Sequence, residues 1–181
     1  MPMREIEIKA RVTDKASLVS KLKEQGIELG QPISQHDIVY GWPGAADNAK
    51  DSVWLRLRTE NETRHVFTLK KSVVGHLDSI EHETEVEDSE ELIAIFKELG
   101  YELYSDLTKI RRKGIVGKIE ICLDEVPGLG VFIEAEMIQA KDSDHDLVVT
   151  QLWQFFDSLG IDKKDEVFEG YDVLERRSRG L

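Results

Sequence analysis

The sequence predicts an α+β protein in which antiparallel hairpins dominate, and three observations carry that expectation. Most segments alternate apolar and polar residues with a period of two, the rhythm of strands. Three others space their apolar residues helically, each followed by a glycine. Short turn signals such as Pro43-Gly44, Gly114 and Pro127-Gly128 punctuate the alternating stretches. The resulting order of strand, helix, many strands, helix, strands and helix is that of an α+β fold.

Met3 to Val12 alternates strictly, with Ile6, Ile8 and Ala10 on one phase and Glu5, Glu7, Lys9 and Arg11 on the other, and reads as a strand. Thr13 or Asp14 offers an N-cap to a helix carrying Leu18, Val19 and Leu22, which Gly26 ends. Gln35 to Trp42 is strand-like and runs into Pro43-Gly44 and a polar loop reaching Asp51. Val53 to Thr59 and His65 to Lys71 then form a hairpin, with Val53, Leu55 and Leu57 opposed in phase to Trp54, Arg56 and Arg58. Ser79 to Glu87 is a strand, and Asp88-Ser89 caps a helix bearing Leu92, Ile93, Ile95, Phe96 and Leu99 that stops at Gly100. Two strands are expected at Asp106 to Lys113 and Ile115 to Asp124, divided by Gly114, and a third at Val131 to Met137. A helix capped near Ser143 and ended by Gly160 carries Leu147, Val148, Leu152, Phe155, Phe156 and Leu159, and a last, polar helix is expected beyond Lys163. About eight strands result.

Composition narrows the function. The 181 residues include 36 acidic and 24 basic side chains, a formal net charge of -12, and 40% are apolar, enough for a core in one domain spanning 1–181. A negative field repels a phosphate backbone, and no five or six consecutive basic residues offset it, so nucleic acid is not an expected partner. A single cysteine, Cys122, and the lack of an apolar leader point to the cytoplasm; no apolar run approaches the roughly 20 residues of a membrane helix. The histidines His36, His65, His76, His82 and His145 lack zinc-ligand spacing, and no P-loop or Rossmann glycine pattern is present. Any bound phosphate must be gripped by side chains.

Charges recur on one phase of strand after strand: Glu5/Glu7/Lys9, Arg56/Arg58, Thr68/Lys70, Glu81/Glu83/Glu85, Lys109/Arg111, Lys118/Glu120/Asp124 and Glu134/Glu136. Two readings are open. In one, each set is the solvated face of a one-sided sheet. In the other the strands close, and the charges line an interior where phosphate oxygens meet Lys and Arg while carboxylates hold a divalent cation.

The order of these segments resembles the CYTH domain, the triphosphate tunnel metalloenzymes, and within it the class IV adenylyl cyclases. The signature E-x-E-x-K stands as Glu5-Ile6-Glu7-Ile8-Lys9, followed by Leu55-Arg56-Leu57-Arg58, Thr68-Leu69-Lys70, Glu81-His82-Glu83-Thr84-Glu85, Lys109-Ile110-Arg111 and Leu123-Asp124 through Glu134, with Tyr171 near the end. The resemblance implies an eight-stranded antiparallel β-barrel, a tunnel with a charged lumen and helices on its outside. It implies Lys9, Arg56, Arg58, Lys70, Lys109 and Arg111 as the triphosphate clamp, and Glu5, Glu7, Asp124 and Glu134 as ligands of Mg2+ or Mn2+. Lys9, Glu83, Lys109 and Arg111 are its expected catalytic residues, with Glu81, Glu85, Glu120 and Glu136 as further carboxylates. Where many relatives carry Arg before the second acidic strand, this chain has Ser79. The implied reaction is conversion of ATP to cyclic AMP and pyrophosphate. Alternatives are hydrolysis of tripolyphosphate or thiamine triphosphate, or a binding module without turnover. A homodimer is compatible with the resemblance.

Overall fold

A computed structural model describes residues 3–45, 51–73, 77–140 and 142–181; the expected loop positions 46–50 and His76 lie outside them. The described residues form strands β1 (Met3–Val12), β2 (Ile33–Gly41), β3 (Val53–Glu60), β4 (Arg64–Ser72), β5 (Asp78–Glu85), β6 (Glu102–Val116), β7 (Ile119–Val126) and β8 (Gly130–Ala140). With them are helices α1 (Lys15–Glu24), α2 (Ser89–Glu98), α3 (His145–Ser158) and α4 (Tyr171–Ser178), and a single 3-10 turn at Lys163–Asp165. The strands form an antiparallel sheet in the order β1-β5-β4-β3-β2-β6-β7-β8, which closes into a barrel. The chain divides into two compact units, Met1–Ile33 with Ile110–Phe168, and Ser34–Lys109 with Glu169–Leu181.

In the first unit the apolar phase of β1 meets two helices. Ile6, Ile8 and Ala10 join Ile121, Leu123, Ile133 and Ala135 of β7 and β8 in a core with Leu18 and Leu22 of α1 and Val148, Leu152 and Phe156 of α3. Asp14 caps α1 by accepting the Ser17 amide at 2.9 Å, and Gly26 leaves it at φ 75°. Helical and strand periods thus bury one face each and leave Glu5, Glu7 and Lys9 on the sheet face turned away from the helices. Past the 3-10 turn, the Val167 amide donates to the Lys9 carbonyl at 2.9 Å, and Glu166 bridges Ala10. The expected last helix is therefore split: extended chain here ties down β1 before α4 begins.

In the second unit Tyr40 and Leu55, with Ile38, Phe67 and Leu69, pack on Leu92, Ile93 and Phe96 of α2. Asp88 caps that helix through the Glu91 amide at 2.9 Å. The opposite phase of β2, β3 and β4 carries Asp37, Arg56, Arg58, Thr68 and Lys70.

The sequence leads one to expect that Gly114 ends one strand and begins the next, and it does not. β6 runs through it to Val116, and the hairpin turns at Gly117, whose φ is 59°. A Cβ at Gly114 would lie 3.2–3.3 Å from Leu29, Ile27 and the Glu28 carbonyl, so glycine serves close approach of the chain there rather than a turn. Lys118, placed on a charged strand phase by its sequence position, falls in that turn.

Gly41 has a comparable role. It faces Trp54 across β2 and β3, and a Cβ there would stand 2.4 Å from the indole. Alanine gains about 0.5–1 kcal/mol of backbone entropy in a strand, but overpacking costs roughly 1–3 kcal/mol. Gly41→Ala should therefore lower the urea midpoint without changing the slope of the transition; a midpoint at or above that of wild type would show that the ring moves aside freely.

Candidate active site

Register builds the charged clusters. Antiparallel pairing sets Glu7 opposite Glu136 and Lys9 opposite Glu134, Glu136 opposite Glu120 and Glu134 opposite Cys122, and Arg111 opposite Asp124. Directly opposed residues project from the same sheet face. The first unit therefore gathers Glu5, Glu7, Lys9, Arg111, Glu120, Cys122, Asp124, Glu134 and Glu136 on the face away from its helices.

Opposite charges pair within this cluster. Arg111 donates from Nε and Nη2 to the two carboxylate oxygens of Asp124 at 2.8 and 2.5 Å, and Nη2 also reaches Glu134. Lys9 lies 3.2 Å from Glu134 and 3.7 Å from Glu7. Lys9 and Asp124 are 2% and 0% exposed, so these charges are held by one another rather than by water. Burial works against the charged form of Arg111, but Glu134 and Asp124 outweigh it and raise its pKa well above the ordinary value.

Like charges also gather. Ligand oxygens of Glu5, Glu7 and Glu136 lie within 4.8 Å of one another, and Glu136 is shared with a second group containing Glu120 and the Cys122 sulfur. Burial first, then the Glu5, Glu7, Glu120 and Glu134 carboxylates, push Glu136 from 4.5 up to about 9. Burial likewise drives the Cys122 thiol far up, against Arg111. Three converging carboxylates are a hard, all-oxygen donor set that suits Mg2+ or Mn2+. Asp124 and Glu134, expected beside Glu5 and Glu7 as cation ligands, are engaged by Arg111.

The second unit holds a basic cluster with its own counter-ions. Arg58 donates from Nε and Nη2 to Asp37 at 2.7 Å each. Burial opposes ionisation of Asp37, but Arg58, with Lys109 and Arg56, holds its carboxyl far below the usual range. Arg56 donates to Thr68 at 3.1 Å and Glu83 at 3.2 Å, and Thr68 donates to the same Glu83 oxygen at 2.8 Å. Lys70 lies 2.9 Å from Glu81, which also accepts from Ser79 at 3.0 Å. Burial pushes Glu81 upward, but Lys70 and Arg56 together hold it at about 2. Ser79 therefore adds a neutral hydroxyl donor to Glu81 rather than a further cation.

Lys109 has its ammonium 4.7 Å over the Tyr171 ring of α4. Glu83 is 52% exposed, and Glu85 lies farther out, 2.7 Å from the exposed Arg64. Asp37, Gln35 and Cys122 do not stand out in the sequence as members of these faces. Alternation of Gln35 and Asp37 against His36, Ile38 and Tyr40 is the signal that could have found the first two.

Residues 3–171 match the family model of the CYTH domain. The chain belongs to the CYTH domain family. A Methanocaldococcus jannaschii protein named "putative adenylate cyclase" is 31% identical over 181 residues, spanning 99% of this chain and 100% of that protein. A solved Pyrococcus horikoshii structure shares 25% identity with a TM-score of 0.80, covering 94% of this chain and 98% of the other. A Hippeastrum structure, named "putative adenylyl cyclase" and described with a dominant triphosphatase activity, shares the fold at 17% identity and a TM-score of 0.60, covering 98% and 96%. CYTH proteins act on triphosphates such as ATP and in general depend on a metal. Among the described residues no helix is long and apolar enough to cross a membrane.

The raised pKa of Glu136 has a measurable consequence. Its folded form keeps a proton that the unfolded chain loses near pH 4.5, so this contribution to stability is whole below that pH and is given up as pH rises toward about 9. Glu136→Gln imitates the protonated acid. In chelator, the variant should melt above wild type at pH 8, with the gap closing by pH 5; equal melting temperatures at both pH values would contradict it.

Proposed function

We propose that this CYTH protein is a divalent-cation-dependent adenylyl cyclase that converts ATP to cyclic AMP and pyrophosphate. The observation that carries the reading is the row Glu7–Glu136 with Glu5: the carboxylates of the E-x-E-x-K strand meet a third acid within 4.8 Å, beside a buried Lys9. The 31% identity to the Methanocaldococcus protein favours cyclisation over hydrolysis.

In this reading Glu5, Glu7 and Glu136 hold the cation, with Glu134 and Asp124 as further ligands. Mg2+ or Mn2+ bound there supplies Lewis acidity and neutralises phosphate charge. Lys9, Arg56, Arg58, Lys70, Lys109 and Arg111 hold the phosphates; Arg gives paired donors to two oxygens, and Lys a compact point charge. Arg111 can exchange Asp124 and Glu134 for phosphate oxygens, since both partners are anionic oxygens of similar geometry. Lys9, Lys109 and Arg111 then stabilise the negative charge that grows as pyrophosphate leaves: the ribose 3′-oxygen attacks the α-phosphorus in line, the bond from that phosphorus to the bridging oxygen breaks, and the hydroxyl proton passes to solvent. The chain contributes positioning and electrostatics, and no covalent nucleophile is required.

Hydrolysis is the second reading, favoured by one observation. Glu83 is held by Thr68 and Arg56 while half exposed, which supports a role in orienting a water toward a terminal phosphorus. Incubation of the purified protein with ATP and Mg2+ or Mn2+ distinguishes the two: cyclic AMP with pyrophosphate supports cyclisation, orthophosphate supports hydrolysis, and binding without either product leaves a non-catalytic module. Tripolyphosphate and thiamine triphosphate extend the same test.

Lys9→Ala and Glu7→Ala should each reduce turnover by roughly a hundredfold or more, the scale of losing one pre-placed electrostatic contact. Removing a partner from a buried ion pair can itself cost about 3–5 kcal/mol, so melting curves accompany the rates. Activity near wild type in a folded Glu7→Ala protein would remove Glu7 from the site.

A further inference from the structure

Among the described residues, the hydrogen bonds of the Arg58 side chain lie along one edge. Its Nε and Nη2 each donate to a different oxygen of Asp37 at 2.7 Å, a fork-to-fork geometry that fixes the guanidinium plane as well as its position. The two residues face each other across β2 and β3, and their side chains are 8% and 11% exposed. A guanidinium has five N–H donors in a rigid fan. With the Nε–Nη2 edge taken by Asp37, the Nη1–Nη2 edge presents a second fork, matched to two phosphate oxygens.

Two effects of Asp37 on a polyanion have opposite signs. Its negative charge repels the ligand, so Coulomb's law alone says that removing it tightens binding. Its hydrogen bonds hold a side chain that would otherwise lose several rotatable bonds' worth of freedom on binding, so pre-organisation says that removing it weakens binding. Geometry decides between them. A phosphate on the outer edge has the whole guanidinium between itself and Asp37, which dilutes the repulsion but leaves the orienting effect intact.

Resting on the polyphosphate-binding reading above, we propose that Asp37 is a positioning residue, one that turns the outer Nη1–Nη2 edge of Arg58 toward a pair of phosphate oxygens of the substrate. Asp37 touches no reacting atom; it acts through Arg58.

The test is calorimetric titration with inorganic tripolyphosphate and Mg2+ of wild type, Asp37→Asn, Asp37→Glu, Arg58→Ala and the Asp37→Asn/Arg58→Ala double variant, each with a melting curve. Asp37→Asn should bind about tenfold more weakly although it has lost a negative charge, with Asp37→Glu recovering some of the loss. In the Arg58→Ala background the same Asn substitution should cost nothing or tighten binding, a non-additivity that general damage to the fold would not produce. Affinity in Asp37→Asn equal to or tighter than wild type overturns the proposal and leaves Asp37 a mere counter-ion. Should Asp37→Asn fail to fold, Asp37→Glu decides: it keeps the charge and displaces the fork by one methylene, so wild-type affinity in that variant overturns the proposal as well. Wild type that binds no tripolyphosphate would instead refute the polyphosphate reading, and this role with it.

Discussion

Antiparallel register is the constraint on which the rest depends. Because side chains alternate at a period of two, a pairing fixed at one point fixes every row on both faces. The pairing that seats Ile6, Ile8 and Ala10 on α1 and α3 also sets Lys9 against Glu134 and Glu7 against Glu136. A slip of one residue would turn Glu5, Glu7 and Lys9 into the apolar core and expose its isoleucines. The hydrophobic face thus enforces the register, and the register assembles the charges.

The charges do not serve stability in a simple way. Replacing a buried ion pair with apolar residues is often neutral or stabilising, and Glu5, Glu7, Glu120 and Glu136 concentrate like charge, which burial makes worse. The two kinds of row answer different needs. Mixed rows such as Arg111 with Asp124 and Glu134 neutralise their own cation, a place that a substrate's phosphates would take in the proposed function. Lys113 lies 2.5 Å from Glu120 and Lys9 3.7 Å from Glu7, yet Glu5, Glu7 and Glu136 still converge within 4.8 Å, which is the arrangement a divalent cation relieves.

Much of this is legible in the sequence because a period of two survives in one dimension. The bounds of β1 follow from its alternation alone, and local chemistry narrows the caps to Thr13 or Asp14 and to Asp88-Ser89, of which the structure uses Asp14 and Asp88. What is not legible depends on which strand lies beside which. Asp37 is an ordinary polar residue until Arg58 is set opposite it, and Cys122 reads as an isolated thiol until Glu134 and Glu136 flank it across β8. Gly114 reads as a turn because its reason, the chain at Ile27 to Leu29, lies more than eighty residues away. Closure of the sheet has the same origin: no strand's alternation records whether the sheet's edges meet.

The same logic explains why phosphate binding is easier to read from this chain than its reaction. In the proposed function basic rows recognise phosphate oxygens whichever nucleophile arrives, so Arg56, Arg58, Lys70 and Arg111 would be common to ring closure and to hydrolysis. The outcome is decided by what is held in line with the scissile bond. A ribose hydroxyl is already tethered to the α-phosphate and needs chiefly to be oriented, whereas water must be captured by an acceptor beside the terminal phosphate. Glu83, half exposed and fixed by Thr68 and Arg56, would be such an acceptor in the hydrolytic reading, while Glu81 has its charge committed to Lys70. On the proposed reading, the contest between the two reactions would therefore turn on whether substrate excludes water from Glu83, a property of the nucleoside more than of the basic rows.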